Sequence, residues 1–285
     1  GKQHRKTVPK GSNWRAAHKL ELIHADLCGP ITPASNGGKR YIFTLTDDFS
    51  RKLWVYFLVA KSEALSYFRK FKVQVEKDAR EALVCLRTYR GGEFLLTEFK
   101  TFCEEAGIRR QLTAAFTPQQ NGVAERKNRT IMNMVRCALA DTRVPATFWP
   151  EAVEWTSHIS NRSPTSANSG KTPFIDHFRV FGCIGYVHIH DNKRKKLDDK
   201  SEKCYFLGIS QESKAYKLYN PQTKKVIISR DVVFNEQEGW NWESSSQPVL
   251  TKIFWYGDDG MWCESDDDGN GTQETELDSP PSQNT

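Results

Sequence analysis

The 285-residue sequence contains no apolar run of about eighteen residues and no charged-then-apolar leader, so neither a membrane span, a membrane partner nor a secretory signal is expected. Its 7 cysteines are scattered, odd in number and free of any Cys-x-x-Cys pair. That spacing argues against a disulfide framework and a thiolate zinc site, and suits a reducing compartment. No Lys or Arg follows Lys252, whereas nine acids do, from Asp258 to Asp278. Without those acids the whole-chain charge of +6 becomes about +15 on residues 1–252. A body this basic attracts a polyanion, with nucleic acid the first candidate. An initial Met is also lacking, and Gly1 is expected to begin a piece cut from a longer chain. Hydrophobic residues make up 38%, enough for a good core in one or two domains.

What is there centres on the stretch from Phe116 to Ile131, a polar loop emptying into an amphipathic helix. Pro118 stiffens the loop, and Asn121 and Gly122 loosen it before the helix begins. From Val123 the apolar residues Ala124, Ile131, Met134, Val135, Ala138 and Leu139 recur at helical spacing, with Arg126, Lys127, Arg129, Asn133 and Arg136 on the rest of the wheel. Glu125 is the lone carboxylate of the first turns. By itself it reads equally well as an ion-pair partner.

Upstream, Leu20–Pro30 reads as a strand closed by a Gly-Pro turn, with Leu20, Leu22, His24, Asp26 and Cys28 on one face. An acid among such neighbours is costly to bury without a proton, a partner or a metal, unless it caps the turn at Gly29. Strands follow at Tyr41–Thr46 and Leu53–Val59, joined by a turn that explains Asp47 and Asp48 better than a metal pair does. Ser62 is placed to cap a helix reaching about Ala79. A buried strand at Leu83–Tyr89, a helix at Glu93–Ala106, a strand at Ile108–Thr113 and a helix at Ala146–Ile159 complete an α/β pattern. From Phe178 the strands become short and frequent, at Ile184–Ile189, Lys203–Ile209, Ala215–Tyr219, Lys225–Ser229 and Val232–Phe234, as in a small barrel. The Lys193-Arg194-Lys195-Lys196 tip could grip phosphates, serve as a nuclear address, or simply be a solvated hairpin. Residues 239–285 have no period and read as a disordered acidic tail, although Trp240, Trp242, Trp255 and Trp262 are unusual in one.

Residues 118–126, Pro-Gln-Gln-Asn-Gly-Val-Ala-Glu-Arg, resemble the third catalytic motif of retroviral and retrotransposon integrases. The continuation Lys127-Asn128-Arg129 looks like the copia-type branch. Gly1–Arg5 is similar to the trailing edge of that branch's zinc-binding amino-terminal module, whose ligands would lie upstream; His4 and His18 alone make no metal site. Phe181–Cys183, Ser201–Gly208 and Ser229–Phe234 resemble the SH3-like domain that follows the core. The resemblance implies an α/β RNase H-like core, a five-stranded mixed sheet flanked by helices, then a small all-β SH3-like barrel. The implied domains are a basic segment 1–18, a core 19–165, an SH3-like domain 166–238 and the acidic tail 239–285. It further implies 3′-end processing and strand transfer of double-stranded DNA by a self-associating protein, in the nucleus after a cytoplasmic particle stage. Asp26, the residue at position 89 and Glu125 would be the acids holding Mg²⁺ or Mn²⁺. Arg126, Lys127, Arg129 and the 193–196 cluster would bind the DNA backbone. Two such ions about 3.5–4 Å apart activate the attacking oxygen and stabilise the leaving one.

Position 89 departs from the family. The sequel Gly-Gly-Glu-Phe is kept, and 35 residues (90–124) separate it from Glu125, as the family spacing requires, but the residue is Tyr89 rather than Asp. A phenol is neutral at pH 7 and bulky, so an anionic ligand is lost. The expectation is a disabled catalyst, with Glu93 the one nearby substitute. The alternative is a non-catalytic DNA-binding or assembly module that keeps the fold. An RNase H-like nuclease is disfavoured by the 118–126 loop and the SH3-like appendage.

Overall fold

A computed structural model describes residues 15–113, 121–162, 175–190, 192 and 194–240, together with the backbone of 254–255. A five-stranded sheet forms the first unit. β1 (Ile23–Cys28) pairs antiparallel with β3 (Tyr41–Asp47), and β3 with β4 (Leu53–Leu58). On its other side β1 runs parallel to β5 (Cys85–Thr88), which runs parallel to β6 (Arg109–Leu112). The order β4-β3-β1-β5-β6 therefore puts β1 at the centre, beside β5.

Period-2 alternation sorts β1 between two layers. Ile23, Ala25 and Leu27 enter a core with Phe43, Leu45 and the aromatic face of α1 (Ala64–Ala79), where Phe68 and Phe71 are fully buried. The opposite face carries His24, Asp26 and Cys28. Leu20 does not share it: at φ 61° it lies outside the strand and packs in the first layer. The helix signals also differ in detail. Ser62 is not the cap; the Glu63 carboxylate accepts the N–H groups of Val59 and Ala60 at 2.6 and 3.2 Å. The expected single helix at 93–106 is two, α2 (Gly92–Leu95) and α3 (Thr97–Glu105), because Leu96 adopts ψ 138° between them.

The second layer is α4 (Gly122–Thr142) and α5 (Trp149–Arg162), the latter entered through a 3₁₀ turn at Ala146–Phe148. Ile131, Val135 and Leu139 of α4 and Trp149 and Val153 of α5 pack on Ile42 and Leu53. Asn161 fastens α5 to the edge strand as a neighbouring strand would, its amide bonding both Leu53 N and O at 2.8 Å.

The second unit is a five-stranded antiparallel sheet, β7 (Cys183–His188), β8 (Ser201–Ser210), β9 (Ala215–Asn220), β10 (Lys225–Ser229) and β11 (Val232–Gly239), in the order β10-β9-β8-β7-β11. Its Phe181, Tyr205, Phe206 and Leu207 join the same apolar cluster as α4 and α5. Trp155 meets Phe206 edge-on at 5.0 Å. The two units thus share one core layer. Gly182 passes α4 at φ 79°, where a Cβ would lie 2.5 Å from Thr142 Oγ1.

The tail is not wholly irregular. Gly239 ends β11 and Trp240 sits 6.5 Å from Tyr205. A two-residue strand β12 (Phe254–Trp255) pairs antiparallel with β2 (Ile31–Thr32), so the chain returns to the first unit. The rest of the tail, like the 114–120 loop and Gly1–Arg5, lies outside the described residues.

Candidate active site

The parallel register of β1 on β5 pairs Ile23 with Leu86 and His24 with Arg87. Extended by two residues, this register sets Asp26 level with position 89 at the carboxyl ends of the two strands. α4 crosses the same end of the sheet, carrying Glu125 in its first turn. The three positions singled out in the sequence therefore come from two adjacent strands and one covering helix.

The side chains make the following contacts. Asp26 is half-buried; Oδ1 accepts the Leu27 N–H at 2.9 Å, and Oδ2 accepts from Asn128 Nδ2 at 2.6 Å with Cys28 Sγ 3.7 Å away. Asn128 Nδ2 also lies 3.2 Å from Cys28 Sγ. Glu125 faces solvent at 42% side-chain exposure and pairs with Arg129 at 3.1 Å. Tyr89 is half-buried after β5. Glu93 is 8% exposed and curls back over its own turn, its Oε1 2.5 Å from where a Cβ of Gly91 would stand.

Behind this cluster a buried polar chain ties α4 to β1. Asn121 is not a loose hinge: it is 0% exposed, and its Nδ2 donates to Ala25 O at 3.2 Å. With that amide hydrogen so committed, its Oδ1 accepts from His24 Nδ1 at 3.1 Å. His24 Nε2 lies 3.1 Å from Asp48 Oδ1, so the ring bridges Asn121 and Asp48. Burial pushes the Asp48 carboxyl up, but the His24 hydrogen bond, the Ala16 N–H and the Arg51 guanidinium outweigh it and hold it at about 2. Asp47 binds the same turn through Ser50 N and Oγ and accepts the Leu20 N–H, so both acids serve the turn as expected.

Residues 183–248 match the family described as the retroviral polymerase SH3-like domain. Over 247 residues the chain is 43% identical to the retrovirus-related Pol polyprotein from transposon TNT 1-94 of Nicotiana tabacum, covering 84% of this chain and 18% of that protein. It is 33% identical over 235 residues to the corresponding polyprotein from transposon RE1 of Arabidopsis thaliana, covering 79% and 16%. The chain is a copia-type integrase core followed by an SH3-like domain. It spans less than a fifth of either relative's length. Among solved structures it is similar to the HTLV-2 integrase catalytic core domain in complex with magnesium, trimeric form (TM-score 0.41, 22% identity, 55% of this chain, 96% of that one). It is also similar to the simian T-cell lymphotropic virus intasome in complex with PP2A regulatory subunit B56 gamma (TM-score 0.43, 15% identity, 81% and 84%).

In this integrase core the basic residues of α4 divide. Arg126 is exposed, and Arg129 is exposed but engaged by Glu125. Lys127 turns inward to donate to Ser160 Oγ of α5 at 2.5 Å, and burial, with the Arg51 charge, pushes its ammonium pKa down. It stands on the α5-facing side of α4, which is why it differs from its neighbours. At the β7–β8 tip Lys195 and Lys196 are exposed and Arg194 partly so, while Lys193 lies outside the described residues.

As they stand, these residues do not fit a two-magnesium centre. Magnesium takes hard oxygen ligands, one or two carboxylates together with waters and substrate phosphates, and two ions need carboxylates to share between them. Here Asp26 shares its surroundings with a thiol and an amide, position 89 offers a phenol, and Glu125 is held by Arg129. Among the described residues no three or more His, Cys, Asp or Glu side chains are grouped to hold a metal. Sequence reasoning placed Cys28 on the face of Asp26 without giving it a role, and did not connect Asn128 with Asp26. Cys28 was legible two residues on, at strand period; Asn128 was legible three residues after Glu125, on the same helix face.

Proposed function

We propose that this chain serves DNA integration as the integrase fragment of a copia-type element, with phosphoryl transfer disabled at position 89. The observation that carries the reading is the β1–β5 register, which sets Asp26 level with Tyr89 under the helix of Glu125. Sequence similarity to transposon Pol polyproteins supplies the family, and the register supports giving residue 89 a place beside Asp26. A phenol there withholds one anionic oxygen from a reaction that places negative charge on phosphorus ligands, and each 1.4 kcal/mol of lost stabilisation costs about tenfold in rate. The substrates are double-stranded DNA, the element's ends and a target. Copies of the chain self-associate on paired ends, in the nucleus after a cytoplasmic particle stage. Arg126 and the 194–196 tip contact phosphates.

The reading is tested by strand transfer of a matched DNA end in Mg²⁺ and Mn²⁺, comparing this chain with Tyr89→Asp. Product from the variant alone is expected. Product from both would refute the role given to position 89 and turn attention to Glu93. The second reading, a DNA-binding or assembly module without chemistry, is favoured by the Glu125–Arg129 ion pair at 3.1 Å, which gives the third acid a structural partner. It expects salt-dependent DNA binding by both forms and product from neither.

A further inference from the structure

We infer that Arg87, Arg90 and Arg109, on the β5–β6 half of the sheet, form a stripe that holds the phosphates of a DNA strand leading to Asp26. The inference rests on the reading of DNA as the substrate and gives that substrate a second contact surface, across the site from α4. The register puts the stripe there. His24 pairs with Arg87 and Arg87 with Gln111, so these three side chains form one row on the face of Asp26. Arg109, level with Cys85, lies two residues before Gln111 on the same face. The row of Asp26 and Tyr89 lies two residues beyond, about 7 Å farther along the strands. α4 packs on β1 and β3, on the other side of Asp26, through Asn121, Asn128 and Ile131. Arg90 and Arg109 are exposed, and Arg87 is half-buried.

How these guanidiniums are held is the second, independent sign. Arg87 donates from Nε and Nη2 to Gln111 Oε1, at 3.0 and 2.7 Å, and Arg90 donates from Nε to Thr113 O at 2.9 Å. Both partners are neutral oxygens, which fix the direction of each fork and leave its charge uncompensated. Arg109 lies against the Cys85 thiol, another neutral group. Arg51, Arg129 and Arg179, by contrast, each pair with a carboxylate. Among the described residues no acid forms an ion pair with Arg87, Arg90 or Arg109. A guanidinium braced by neutral atoms meets an anion already oriented, with Nη1 of Arg87 and both terminal nitrogens of Arg90 left for charge-assisted bonds. Three such groups spread over two strands suit successive phosphates of a polymer better than one small anion. Contacts of this kind position DNA without reading its sequence.

The test is fluorescence anisotropy of a short DNA duplex bound to the full chain over a salt series. Gln111→Glu keeps the side-chain size and an acceptor for Arg87 but adds the carboxylate that Arg87 lacks. It should weaken binding about three- to tenfold and lower the slope of log affinity against log salt by about 1. Arg87→Gln should do the same, equally on two duplexes of unrelated sequence. Gln74→Glu makes the same charge change at an exposed position of α1, on the other side of the sheet, and should alter neither quantity. A measurement that needs no variant accompanies these. DNA should slow modification of Arg90 and Arg109 by phenylglyoxal, followed by peptide mass spectrometry, and leave Arg80 at the end of α1 as reactive as before. An unchanged slope in Gln111→Glu, an equal loss in Gln74→Glu, unprotected Arg90 and Arg109, or no DNA binding by the unaltered chain each overturns the inference. Failure of strand transfer by both forms of residue 89 would leave these slopes as expected, and unchanged slopes would leave the transfer result standing, so the two readings fail separately.

Discussion

Replacing Asp48 by Asn should cost the fold roughly 2–4 kcal/mol at pH 7, although residue 48 is not among the three positions of the candidate active site. The Asp48 carboxylate is 5% exposed and holds His24, Arg51 and the Ala16 N–H, and through His24 it holds Asn121 at the start of α4. Its pKa of about 2 against an ordinary 3.8 is worth roughly 2 kcal/mol at 1.36 kcal/mol per unit. The upper figure allows for the buried His24 left facing a neutral amide. Because the folded-state pKa is the depressed one, this stabilisation is complete above about pH 4 and is lost as pH falls toward 2. About half should be gone by pH 3. Urea unfolding of both forms from pH 7 down to 3 gives the curve: the gap between them should narrow on acidification. Amide exchange in the first turn of α4 should quicken in the variant, as the His24–Asn121 link loosens. A cost below about 1 kcal/mol, or a gap of equal size at pH 7 and pH 3, would refute the electrostatic account of this tether.

Two further outcomes are expected. Arg126→Ala should weaken DNA binding and lower the slope of log affinity against log salt by about 1, whereas Lys127→Ala should leave that slope unchanged and show instead in stability, since Lys127 is spent on Ser160; fluorescence anisotropy over a salt series separates the two. His158 lies under Trp155 and Phe178 where the units meet, and burial, with the Arg162 and His177 charges, pushes its pKa from 6.5 down to about 4. The folded form resists taking the proton, so stability should decline as pH falls from 6.5 toward 4, and a His158→Phe variant should decline less in thermal melts over that range.

Much of the site was legible before any coordinates. Period 2 in β1 set His24, Asp26 and Cys28 on one face, and period 3.6 in α4 separated Ile131, Val135 and Leu139 from the basic residues. Those signals are local, because side-chain direction follows from backbone geometry over a few residues. The cap at Glu63 escaped because Ser62 beside it is the commoner capping residue type, and the break at Leu96 because it rests on one backbone angle, ψ 138°, that no residue pattern announces.

What the sequence by itself determined is the family, the α/β core with its β-rich appendage, and which residue types stand at 26, 89 and 125. These are matters of residue type and spacing along one chain. Only the tertiary structure decided which neighbours those residues have. Asn128 reaches Asp26 across 102 positions, Asn121 reaches His24 across 97, and Trp155 seals the core to the second sheet. Partners so far apart in sequence meet because the α4 layer packs on β1 at one end of the sheet, and no local period encodes that meeting.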